Sequence, residues 1–349
     1  MIAPRTRVLV CEDSTTFAMA LTRTLEHGGD IEVVGVCPTA EAAISGLARL
    51  QPDLITMDVH LPGMSGLDAV EQIMSVRPTP ILVLSSQVTG DGEIAAAALA
   101  AGALEAMAKD ELPLREPGGD AATAFRQRVK LLSRARVIRH PRGRLTTGTR
   151  NATLISTRRG GIVAVCASTG GPQAIAAVLA AIPSGYPLPI LVVQHIAAGF
   201  TEGLARWLDG AIPLPVRLAE HGLPALPGVT VAPEGAHLVI LSDGTLALDR
   251  RSPAGLHRPS ADMLLTSVAS AARSDGIGVV LTGMGRDGAV GLQAIGEAGG
   301  LTIAQDEASS SVYGMPREAA KLGAELILPL GEIAGVLTTV ALERRVGAR

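Results

Sequence analysis

Short apolar runs alternate with segments of helical spacing along this chain, and that alternation narrows the folds open to it more than any other feature. Thr6–Cys11, Ile31–Val36, Leu54–Met57 and Ile81–Leu84 read as strands. Between them Thr15–His27, Thr39–Leu50, Gly66–Ser75 and Gly92–Ala101 read as helices, and a weak fifth strand ends near Lys109. Strands separated by helices of about 10–15 residues build parallel sheets covered on both faces. The pattern restarts after Gly161. Strands are predicted at Ile162–Val165, Pro189–Val193, Gly276–Leu281 and Leu301–Ala304, and helices at Thr201–Leu208, Ser260–Arg273 and Ala289–Ala298. Short strands at 229–232, 237–241 and 245–248 carry a hairpin turn at Ser242-Asp243-Gly244. With 349 residues the chain has room for two domains at about 150 residues each. Since 47% of residues are hydrophobic but only 2% aromatic, both cores must be aliphatic. The expected division is a first α/β domain over residues 1–125, a linker over 126–159 and a second, mostly parallel α/β domain over 160–349.

Charge and cysteines narrow the class. A net charge of −3 gives the whole chain no affinity for polyanions. The basic residues concentrate in the linker, where Arg126, Arg128, Lys130, Arg134, Arg136, Arg139, Arg142, Arg144, Arg150, Arg158 and Arg159 stand without one Asp or Glu. Such a run can bind nucleic acid or a membrane surface. It lacks aromatics for base stacking and any partner helix of a DNA-reading motif, so a solvated, partly helical linker is expected, with no nucleic-acid partner. Cys11, Cys37 and Cys166 have neither disulfide nor metal-binding spacing and are read as small buried hydrophobes in a reducing compartment. No run of ~20 apolar residues occurs, so no membrane insertion and a cytoplasmic location are expected.

Acidic residues stand at predicted strand ends in the first domain: Glu12 and Asp13 after the first strand, Asp58 after the third. Strand ends of an open parallel sheet converge on one edge, so these carboxylates would meet there. They would repel one another unless a divalent cation lies between them, and an all-oxygen set suits Mg²⁺. Ser85 and Lys109, ending the fourth and fifth strands, add a hydroxyl and a cation suited to a phosphoryl group. Taken singly, Asp13 and Asp58 also fit helix-start or turn residues.

In the second domain Cys166–Pro172 reads C-A-S-T-G-G-P, a Gly-rich turn between strand and helix with Ser168 at the bend. It also fits a simple helix cap, with the glycines making the turn. Ser168, His195 and the turn Thr282-Gly-Met-Gly-Arg-Asp-Gly288 all follow predicted strands and so fall on one edge. A serine needs a base to remove its proton, and the base needs a group to hold its tautomer. His195 is the preferred base because, among the domain's histidines, it alone ends a buried strand; Asp287 is the preferred orienting acid. Backbone N–H groups of the 283–285 turn, or of the helix after Ser168, could stabilise an oxyanion. A structural histidine and a turn aspartate remain open alternatives. The turn is not the G-x-S-x-G elbow, since Cys166 takes the first glycine position.

Two sets of motifs resemble known families. V-L-V-C-E-D-S, I-T-M-D-V-H-L-P-G-M-S-G-L-D, L-V-L-S-S and A-K resemble response-regulator receiver domains over residues 5–125. This resemblance implies a flavodoxin-like (βα)5 fold, phosphorylation of Asp58 by a histidine kinase, and Mg²⁺ held by Glu12, Asp13 and Asp58. It also makes Ser85 and Lys109 the switch and phosphate contacts. A-S-T-G-G-P, V-Q-H-I-A-A-G-F-T, A-P-E-G-A-H-L, R-P-S-A-D-M-L, L-T-G-M-G-R-D-G-A and A-Q-D-E-A-S-S-S-V-Y-G-M-P-R-E-A resemble the catalytic domain of the CheB methylesterases over residues 160–330. That resemblance implies a doubly wound serine-hydrolase domain without a cofactor. Its substrates would be glutamate methyl esters, and certain glutamines, on the cytoplasmic helices of chemoreceptors. The nucleophile falls on Ser168, the base on His195 and the acid on Asp287; Thr169 and Met284 line the site, Met284 offering its N–H to the oxyanion.

Three positions depart from these patterns. Asp110 replaces the proline that usually follows the receiver lysine, Ala106 or Met107 fills the aromatic switch position, and Ala197-Ala198 stands where two prolines are common. The rival readings are a transcriptional regulator, disfavoured by the absence of a helix-turn-helix signature, and a scaffold acting on a partner outside chemotaxis. The order receiver, linker, hydrolase suggests that the unphosphorylated receiver restrains the hydrolase. A fragment starting near residue 150 is then expected to hydrolyse ester faster than the unphosphorylated full chain. Equal or lower methanol release would point to direct stimulation instead.

Overall fold

A computed structural model describes residues 4–86, 91–137, 161–251 and 257–346; most of the expected linker, residues 138–159, lies outside the described residues. The chain forms two compact units.

The first unit is a parallel five-stranded sheet of order β2-β1-β3-β4-β5. Its strands are β1 Thr6–Cys11, β2 Ile31–Cys37, β3 Leu54–Asp58, β4 Ile81–Ser85 and β5 Glu105–Ala108. The helices are α1 Thr15–Glu26, α2 Ala40–Leu50, α3 Gly66–Val76, α4 Asp91–Ala101 and α5 Asp120–Leu132. Side-chain caps start three of them: Ser14, Thr39 and Ser65 accept from the N–H groups of Phe17, Ala42 and Asp68. Val8, Leu9 and Val10 are all fully buried, as an unbroken apolar strand must be when helices cover both faces of its sheet. Strand order reverses between β1 and β3, which opens a crevice at their carboxyl ends.

One boundary differs from the sequence reading. The expected linker starts at residue 126, yet α5 runs to Leu132 and seats Phe125, Val129 and Leu132 in the first unit's core. The basic residues interleaved with that apolar stripe hid its helical period. Arg126 is itself buried, donating to the carbonyls of Thr24 and Pro117. Arg128 and Lys130 pair with Glu105 and Asp30.

The second unit carries a seven-stranded parallel sheet of order β14-β13-β12-β6-β7-β9-β8. Its strands are β6 Ile162–Ala167, β7 Pro189–Gln194, β8 Val216–Leu218, β9 Gly228–Val231, β12 Gly276–Val280, β13 Leu301–Gln305 and β14 Leu326–Leu328; β10 His237–Ile240 and β11 Leu246–Asp249 form a separate antiparallel hairpin. The helices are α6 Gly171–Ala180, α7 Thr201–Ala211, α8 Ala261–Ala272, α9 Ala289–Glu297, α10 Met315–Lys321 and α11 Leu330–Val346. Alternate residues of β6 face opposite cores, Val163 and Val165 into one, Ala164 and Cys166 into the other. Both cores are mainly aliphatic, as the composition requires, with Tyr186 the one aromatic residue within either among the described residues and Trp207 packed against the first. The sequence pattern misses β8 and β14, which are three-residue edge strands only partly buried and so lack a continuous apolar run. Strand order reverses between β6 and β12. All three cysteines are buried free thiols, and burial raises the pKa of each.

Leu132→Ala is expected to lower the stability of the first unit by about 2–5 kcal/mol, the loss typical of a truncated core leucine. Urea unfolding checks this; a change near zero is what a linker position would give.

Candidate active site

The crevice between β6 and β12 is where the second unit's reactive residues gather. Ser168 follows β6, His195 follows β7, and Asp287 lies in the turn after β12. Main-chain bonds continue the sheet into this edge: Ser168 N–H donates to Thr282 O, and His195 N–H to Ala167 O, both at 3.0 Å. Gly170 turns the chain into α6 at φ +73°, a conformation that disfavours any side chain.

His195 Nε2 lies 2.9 Å from Asp287 Oδ2. With Nε2–H donating there, the lone pair of the imidazole stands on Nδ1, which is buried and has no partner among the described residues. Ser168 is half-buried and its hydroxyl makes no bond to His195, so the Ser–His contact is not closed in this state. Such contacts are commonly long in substrate-free enzymes.

Asp287 is the most heavily bonded group of the site. Besides His195, it accepts from Ser260 Oγ at 3.0 Å, Ala261 N at 2.8 Å and Asp262 N at 2.9 Å. The last two donors open α8, so the carboxylate sits on a helix N-terminus. Burial pushes the Asp287 pKa up, but the bonds from His195, Asp262 and Ala261 outweigh it and hold the group well below the usual carboxylate range. Asp262 returns the arrangement: its Oδ1 accepts from Gly288 and Gly291, at 2.9 and 2.7 Å, at the start of α9. Burial raises the Asp262 pKa, and the nearby Asp287 charge adds to it. Each of the two helices thus receives a carboxylate from beside the other.

The 283–285 turn is held by the stretch after β13. Gly283 N–H donates to Val312 O, and Gly283 O accepts from Gly314 and Met315. The N–H groups of Thr169 and Met284 have no acceptor among the described residues. Thr169 is buried and Met284 half-buried.

Sequence reasoning overlooked Ser260 and Asp262, although S-A-D at a helix start is a capping signature for a carboxylate supplied from elsewhere. It also overlooked His257, whose ring stacks on His195 with centroids 4.2 Å apart and planes 16° apart. Nothing local to His257 signals this, because the stacking joins segments 62 residues apart in the chain.

In the first unit the crevice between β1 and β3 holds Glu12, Asp13 and Asp58, whose ligand oxygens all lie within 4.8 Å of one another. Lys109 Nζ is 2.7 Å from Asp58 Oδ2 and 2.8 Å from Glu12 Oε2, and 4.7 Å from the Phe17 ring centre. Burial works against the ammonium, but its bonds to Asp58 and Glu12 prevail and raise the Lys109 pKa. Burial also raises the Glu12 pKa, against the pull of Lys109. Ser85 ends β4, one residue beyond the partner of Asp58, and its buried hydroxyl donates to Ser86 O at 3.2 Å. All five residues expected at this edge are at it. An oxygen-only set of this compactness fits Mg²⁺ with water completing the shell.

Comparison with known proteins follows this geometry. Residues 163–337 match the family model of the CheB methylesterase, and residues 8–114 that of the response regulator receiver domain. The chain is 43% identical over 319 residues to protein-glutamate methylesterase/protein-glutamine glutaminase 3 of Anaeromyxobacter dehalogenans, covering 91% of this chain and 93% of that protein. It is 41% identical over 342 residues to a protein of the same description, numbered 4, from Myxococcus xanthus, covering 95% and 96%. Among solved structures it is similar to the Thermotoga maritima CheB methylesterase catalytic domain, at 36% identity and a TM-score of 0.50, over 52% of this chain and 98% of that one.

Asp287→Ala is expected to destabilise the second unit by about 2–4 kcal/mol at pH 7, because it strands buried donors. An acid whose folded-state pKa is depressed stabilises fully above its unfolded value and loses that contribution as pH falls toward the folded one. The gap between wild type and Asp287→Ala should therefore narrow below about pH 4. Urea unfolding of both proteins at pH 7 and pH 3 measures it; a gap that widens in acid contradicts the assignment.

Proposed function

The chain belongs to the CheB methylesterase family, and from that premise we propose that Ser168, His195 and Asp287 carry out its hydrolysis of glutamate methyl esters. The enzyme is a protein-glutamate methylesterase and protein-glutamine glutaminase with a receiver domain that subjects it to phosphorylation control. The observation that carries the site reading is the His195–Asp287 pair at 2.9 Å on the same edge as Ser168, with Nδ1 buried and without a partner among the described residues.

In this mechanism His195 Nδ1 takes the Ser168 proton while Ser168 Oγ attacks the ester carbonyl. Asp287 fixes the tautomer through Nε2–H and stabilises the imidazolium that forms. Oxyanion charge falls to the N–H groups of Met284 and Thr169, the latter beside the start of α6. Collapse expels methanol, protonated by His195 Nδ1–H, and leaves an acyl-Ser168. Water, deprotonated by the same nitrogen, then releases glutamate and restores the serine. A glutamine side chain follows the same course with ammonia as leaving group.

Asp58 is proposed as the phosphoryl acceptor, with a histidine kinase as donor, and Ser85 and Lys109 as contacts to the phosphoryl oxygens. Mg²⁺, which Glu12, Asp13 and Asp58 would hold, supplies charge neutralisation to those oxygens when bound. The proposed substrates are the cytoplasmic helices of chemoreceptors. No helix among the described residues is long and apolar enough to cross a membrane; a cytoplasmic location is proposed because the receiver's phosphodonor and the receptor helices would be met there.

Ser168→Ala is expected to lower methanol release from methylated receptor membranes by a factor on the order of 10⁴ or more, without unfolding the chain. Retained hydrolysis in a folded variant sinks the nucleophile assignment.

A further inference from the structure

Gln194, the last residue of β7, is 4% exposed and takes no part in the chemistry above. Its Nε2 donates to two main-chain carbonyls, those of Ser168 and His195, each at 2.8 Å. These carbonyls belong to the two residues between which the reaction's first proton must pass. We propose that Gln194 is a positioning residue, its carboxamide setting the spacing between the nucleophile and its base. The inference rests on the Ser168–His195 reading.

Three observations support it. The two protons of a carboxamide NH₂ diverge in one plane, so engaging both fixes the two acceptors relative to each other as a single bond cannot. The amide's orientation follows from its partners, because Oε1 could not face two carbonyl oxygens. Oε1 instead packs against Gly171, where a Cβ would lie 2.0 Å from it, and it finds no donor among the described residues. An apolar side chain of equal length would fill this space without burying an unpaired oxygen, so the gain of having an amide lies at its nitrogen.

Dependence on that nitrogen is unequal. Ser168 O also accepts from Gly171 N–H at 2.8 Å, as part of the entry into α6. His195 O has no acceptor role toward any other group among the described residues. Upstream, the sheet bonds from Ser168 N–H and His195 N–H hold both chains only as far as the strand ends. Beyond that point Gln194 is what ties the main chain of His195 to that of Ser168 among the described residues.

The test compares Gln194→Met, which keeps length and removes the donors, with Gln194→Glu, which sets two acceptors against two carbonyls. Both are made in the full chain and assayed by methanol release from methylated receptor membranes. Rates are expressed per site titrated with a serine-directed phosphonate. Expected is a fall in kcat of about 10- to 100-fold, larger for Glu, with KM moving less than about threefold. A kcat within about threefold of wild type overturns the proposal, as does a rise in KM alone. If neither variant folds, the wild-type chain decides through its ¹⁵N-labelled glutamine side chains. Both Gln194 amide protons should be protected from solvent exchange, and a rapidly exchanging amide overturns the proposal. An active Ser168→Ala variant would refute the triad reading instead, so the two failures are separable.

Discussion

The crevice edge of the second unit is organised by one partly buried carboxylate. Asp287 accepts from His195, Ser260 and the first N–H groups of α8, and these bonds lower its pKa despite burial. A carboxylate in this position is charged at any physiological pH, so its hydrogen bonds to these donors are charge-assisted. The same bonds join three pieces of chain that share no sequence neighbourhood: the turn after β12, the start of α8 and the end of β7. Asp262, placed reciprocally on α9, makes the turn and the helix mutually dependent.

The two units reach their sites by a common route with opposite electrostatics. Each is a parallel sheet whose strand order reverses once, between β1 and β3 in the first and between β6 and β12 in the second. Helices diverge to opposite faces at such a reversal and leave an open crevice. In the first unit three carboxylates fill it, restrained by Lys109, a surplus of negative charge that a divalent cation would relieve. In the second the Asp287 carboxylate is met by backbone, hydroxyl and imidazole donors, and Ser168 stands on the same edge. The first arrangement gathers carboxylates around an ammonium, and the second backs an imidazole with a single carboxylate.

Much of this was legible in the sequence. Apolar runs buried on both sides announce themselves as strands, and parallel connectivity places their carboxyl ends together, so Glu12, Asp58, Lys109, Ser168, His195 and Asp287 could be assigned to edges before any coordinates. Illegible stretches had physical reasons. The continuation of α5 to Leu132 was masked by Arg126, Arg128 and Lys130, because charge was more conspicuous than the spacing of Phe125, Val129 and Leu132. The edge strands β8 and β14 are half-exposed and show no apolar run.

What the sequence by itself determined is therefore the class of fold, the edges on which reactive residues lie, and their chemical types. Period and apolarity are local properties, and a parallel sheet converts them directly into position. Only the tertiary structure decided which atom faces which. It put Asp287 on Nε2 of His195 and left Nδ1 buried with no partner among the described residues. It stacked His257 on the same ring and reached Gln194 across from β7 to the carbonyl of Ser168. Those contacts depend on side-chain torsions and on separations along the chain of tens of residues, and neither is encoded in any local pattern.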